Sequence, residues 1–75
     1  MATRKQAMAV IEQHGGEVDW DVTIITATDK HICVDAPKGQ MWNSSVAESF
    51  VVSWHAGPAS EFWDEVIQLA NEGTA

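Results

Sequence analysis

Basic side chains are scarce in this chain: four lysines and arginines stand against eleven aspartates and glutamates, for a net charge of −7. Proteins hold DNA or RNA mainly through Lys and Arg that displace counterions condensed on the phosphates. With that supply missing, direct nucleic-acid binding is disfavoured, and so is an anionic membrane surface. Cysteine is nearly absent too. Cys33 is the only one, which excludes an intrachain disulfide. No continuous apolar run follows Arg4 and Lys5, so neither a signal peptide nor a membrane span is expected, and a cytoplasmic location is the default. Also missing are a glycine loop placed after a strand to cradle phosphate, and paired Cys-x-x-Cys or His-x-x-x-His spacing for a metal. No cofactor is expected.

What is present suits one small folded domain spanning residues 1–75. Apolar residues make up 45% of the 75 and charged ones 20%, a globular rather than disordered balance. A chain of this length buries only roughly 60% of its unfolded surface. Four tryptophans help close so thin a core, because each covers a large area.

Thr3 to His14 reads as a first helix. Thr3 and Gln6 have the spacing of a capping box, Ala7, Met8 and Ile11 recur at helical spacing, and Gly15-Gly16 ends the segment. From Glu17 to Ile24 the pattern changes to a period of two. Val18, Trp20, Val22 and Ile24 alternate with Glu17, Asp19, Asp21 and Thr23, which predicts a strand with one apolar face. Ile25 breaks the alternation and suggests a bulge. A short turn at 28–30 leads to a second strand, His31 to Asp35, with Ile32 and Val34 on one face and His31, Cys33 and Asp35 on the other. A connection this short makes the two strands antiparallel neighbours. Pro37 and Gly39 punctuate the chain before a third strand over 46–54, with Val46, Phe50, Val52 and Trp54 sharing its apolar face. Pro58 suits the first turn of a final helix, which carries Phe62, Val66 and Leu69 on one stripe and Trp63, Ile67 and Ala70 on the next.

The expected fold class is therefore α+β with two layers: helix, three-stranded antiparallel meander, helix. Both helices lie on one face of the sheet. In order of elements this is similar to double-stranded RNA-binding domains. The resemblance stops at architecture, because those domains meet phosphates with basic side chains at the start of the last helix. Here that turn carries Glu61, Asp64 and Glu65, and no Lys or Arg follows Lys38.

The most distinctive surface feature is the acidic row Glu17, Asp19 and Asp21, with Asp35 near it if the register allows. Neighbours on one strand face are about 6–7 Å apart. Such a row suits a solvated face, a basic protein partner or, in a sharper version, an inhibitor that mimics nucleic acid toward a basic protein. Met41 and Trp42 lie in a turn-rich stretch and form a second candidate contact, with Trp42 evenly balanced between core and interface. An exposed Met41-Trp42 beside an edge strand, and an uncovered sheet face, favour a homodimer. His31 and Cys33 share a strand face and are the residues a metal site or a minor enzyme would use. No order or spacing marks a catalytic triad. The sequence thus points to a small, acidic, non-catalytic protein–protein interaction or regulatory module.

Overall fold

The computed structural model describes residues 2–20, 24–25 and 29–75. Helix α1 runs Arg4–Gln13 and α2 runs Ala59–Asn71; between them lie β1 (Glu17–Val18), β2 (Ile24–Ile25), β3 (Lys30–Asp35) and β4 (Ser49–Trp54). All pairings are antiparallel. β3 is central, with β4 along one side and both β1 and β2 along the other, so the sheet has three strand positions. The architecture is the α-β-β-β-α order of the α+β class.

Local chemistry sets the helix ends. Thr3 N donates to Gln6 Oε1 at 3.0 Å and Gln6 N donates to Thr3 Oγ1 at 3.2 Å, a reciprocal cap on two otherwise orphaned amides. At the other end Gly15 adopts φ +77°, its N–H donating to Glu12 O while Gly16 N–H donates to Ile11 O. That pair of bonds is a Schellman closure, and the left-handed residue in it favours glycine. α2 starts one residue after Pro58, which serves as its N-cap without a side-chain bond.

The core is one cluster. Ile32 and Val34 of β3 and Phe50 and Val52 of β4 meet Ala7 and Ile11 of α1 and Phe62, Trp63, Val66 and Ala70 of α2. Both helices therefore roof the same sheet face. Along β3 the alternation holds: Ile32 and Val34 are buried, His31 and Cys33 half-buried and Asp35 exposed.

Three expectations are corrected. The first strand is interrupted. From Val18 opposite Val34 to Ile24 opposite His31, the chain advances six residues while β3 moves only three. Asp19 N still donates to Cys33 O at 2.9 Å, but Trp20 is 52% exposed rather than in the core. It packs instead beneath Arg4, whose guanidinium carbon lies 4.6 Å from the ring centroid. Val22 lies outside the described residues.

The second correction concerns Val46, which is not on the core face of the last strand. It closes the turn 43–46 at φ 53° and is 75% exposed, with β4 beginning only at Ser49.

The third concerns Trp42, a candidate contact residue that its turn-rich surroundings left evenly balanced between core and interface. It is wholly buried. Its Nε1 donates to Val34 O at 3.1 Å and its ring meets Phe50 edge-on at 5.2 Å. Its backbone bridges Ala47 on one side and Thr74 on the other, which ties the 36–48 connection to the end of the chain.

Candidate functional site

With both helices on one face, no described residues form a layer over the other face of the sheet. Three rows of residues cross it. The first joins Glu17 and Asp35, directly opposite one another, to Ser49 on the far side of β3. Next come Asp19, Cys33 and Val51, the last two in register and the first bonded to Cys33 O. At the opposite end His31 pairs with Ser53.

The rows differ in chemistry. Glu17 and Asp35 bring two exposed carboxylates onto adjacent strands, where opposed residues have Cβ atoms about 4.5–5.5 Å apart. Asp19, half-buried, continues that acidic end. Asp21 lies outside the described residues. Val51 stands at the centre, 53% exposed beside half-buried Cys33. An apolar side chain ringed by polar ones on a flat, uncovered sheet is where a partner would gain most from excluding water.

The far end carries hydrogen-bonding groups. His31 Nδ1 and Ser53 Oγ share a 2.9 Å bond across the strands. Just beyond, His55 Nδ1 lies 3.2 Å from Asp29 Oδ1. Asp29, Lys30, His31, Ser53 and His55 together line an open cleft of about 390 Å3. Two of the three histidines thus gather at one end, and the carboxylates Glu17 and Asp35 at the other; Lys30 is buried on the core side of β3.

The site expected from the sequence did not include Ser53, His55 or Asp29. The alternation that puts Ser53 on the same face as Val51 was legible, but its pairing with His31 depends on strand register, which no local pattern gives. His31 and Cys33 do share the outer face as expected. Among the described residues, no group of three or more His, Cys, Asp and Glu is placed to hold a metal ion.

Met41 is 43% exposed but lies elsewhere, its backbone paired with that of Ala75. Trp20 forms part of a separate shallow groove between α1 and β1, floored by Met8, Ile11 and Val18. Among the described residues no helix is long and apolar enough to cross a membrane. No protein-family model, curated protein or solved structure matches this chain.

Proposed function

We propose that this protein is a small, acidic, non-catalytic module that binds other proteins through the outer face of its sheet. The observation that carries the reading is the one-sidedness of the fold. Every buried element of both helices packs on the same sheet face, which leaves Val51 exposed at the centre of the other one, between a carboxylate end and a histidine end. A partner that covers Val51 and presents donors or positive charge to Glu17 and Asp35 meets complementary chemistry at both places. The net charge of −7 adds long-range attraction toward basic surfaces. On this reading the His31–Ser53 bond is a cross-strand fastening rather than a nucleophile and its base.

The test compares the intact chain with two surface variants, Val51→Asp and the double change Glu17→Lys/Asp35→Lys. Gln68→Lys, on the exposed side of α2, serves as a control. Partners captured from the native host by the wild type and the control should be lost with both face variants. Capture that is indifferent to the face substitutions would refute the proposal.

A further inference from the structure

We infer that the occupant of the uncovered sheet face is a second copy of this chain, packed face to face across a two-fold axis that runs at right angles to the strands. The inference rests on the face being the binding surface and adds which partner fills it. Two symmetric ways of stacking this face on itself keep the strands roughly aligned, as face-to-face sheets prefer. If the axis runs along the strands, like ends meet. Asp35 then confronts the second copy's Asp35, with the Glu17 of each copy at the same end, and like charges held together on facing surfaces repel. If the axis runs across the strands, each end meets its opposite. Asp35 then faces the second copy's His31 and Ser49 its Ser53, with His55 bordering them.

That second arrangement is complementary. An imidazole donates a hydrogen bond to a carboxylate in either protonation state and adds charge when protonated. Asp29, the one carboxylate among the described residues lining the cleft at the histidine end, is engaged by His55. Over the axis itself lies the middle row, so Val51 covers the second copy's Val51 and Cys33 lies over its own equivalent. The apolar centre meets an apolar centre, and the exposed valine that the monomer leaves in water is covered. The charge of −7 on each copy opposes approach, so pairing is expected at ionic strengths near 0.15 M, where repulsion beyond about 8 Å is screened.

Cys33 offers a direct geometric readout. Face-to-face sheets are about 10 Å apart and both Cys33 side chains project into the gap, so a short bifunctional thiol reagent should join the two thiols and trap a covalent dimer. Sedimentation equilibrium of the full chain at 0.15 M salt should show the mass rising toward twice the monomer value with concentration. Val51→Lys, on the solvent side of the sheet, should weaken association at least tenfold with an unchanged circular dichroism spectrum. Asp35→Lys should also weaken it, and His31→Glu in the same chain should restore part of the loss.

A monomer at every concentration would overturn the inference, and so would a dimer that does not cross-link through Cys33 or one indifferent to Val51→Lys. A monomeric chain that still loses its captured partner on Val51→Asp would overturn the second-copy inference alone. Capture and mass both indifferent to the face variants would overturn the binding-face reading as well.

Discussion

Gly16 is the position where one added methyl group tests the packing most sharply. It lies between α1 and β1, and a Cβ built there would stand 2.7 Å from Trp42 Cζ2, 3.0 Å from Asp35 O and 3.1 Å from Ile11 Cγ2. None of these neighbours yields easily. Trp42 is wholly buried, held by its bond to Val34 O and wedged edge-on between Phe50 and His14; Asp35 O is backbone, and Ile11 is core. Overpacking of this kind costs about 1–3 kcal/mol. Gly16 does not adopt positive φ, so alanine would otherwise stabilise by about 0.4–1 kcal/mol through the unfolded chain.

The net expectation for Gly16→Ala is a loss of about 1–2 kcal/mol. For a domain of this size that lowers Tm by roughly 4–16 °C, at about 4–8 °C per kcal/mol. Urea and thermal unfolding followed by circular dichroism measure it directly. Trp42→Phe removes the ring atom that the new methyl group meets, so the double variant should lose less than the sum of the single changes, a coupling of about 0.5–2 kcal/mol. If Gly16→Ala is as stable as the wild type, or if the two changes simply add, the close packing of Gly16 against Trp42 is wrong.

Val46 and Trp20 give two further tests. Val46 holds a β-branched side chain at φ 53° while 75% exposed, so Val46→Asn should stabilise by about 1 kcal/mol, read as a higher urea midpoint, because asparagine tolerates that conformation. Trp20 is half in solvent under Arg4, whereas Trp42 is wholly buried. Trp20→Ala should therefore cost about 1–2 kcal/mol and Trp42→Ala about 3–5 kcal/mol in parallel denaturation curves; equal losses would contradict the burial assigned to each.

Part of this molecule was legible from its residues. The Thr3–Gln6 capping box, the Gly15-Gly16 stop and the apolar stripe of α2 are local devices, fixed by groups within a few positions of one another. β3 alternates as its sequence alternates, because a strand packed on one side must. The interruption after Asp19 was hidden. A period of two over Glu17 to Ile24 reads the same whether the chain stays in the ladder or leaves it, and only pairing with β3 shows the three surplus residues. Val46 was hidden likewise, its apolar side chain matching a strand pattern while the turn 43–46 takes it out of the sheet.

The sequence by itself determined the element order, the helix boundaries to within a residue or two, and the sign of the surface, since each follows from near neighbours or from composition. Tertiary structure decided the rest. It put Trp42 in the core and Trp20 in water, although both are tryptophans beside turn residues. It set Glu17 opposite Asp35 and His31 beside Ser53, giving the uncovered face an acidic end and a histidine end. Burial and register belong to pairs of segments distant along the chain, and a local pattern describes only one member of each pair.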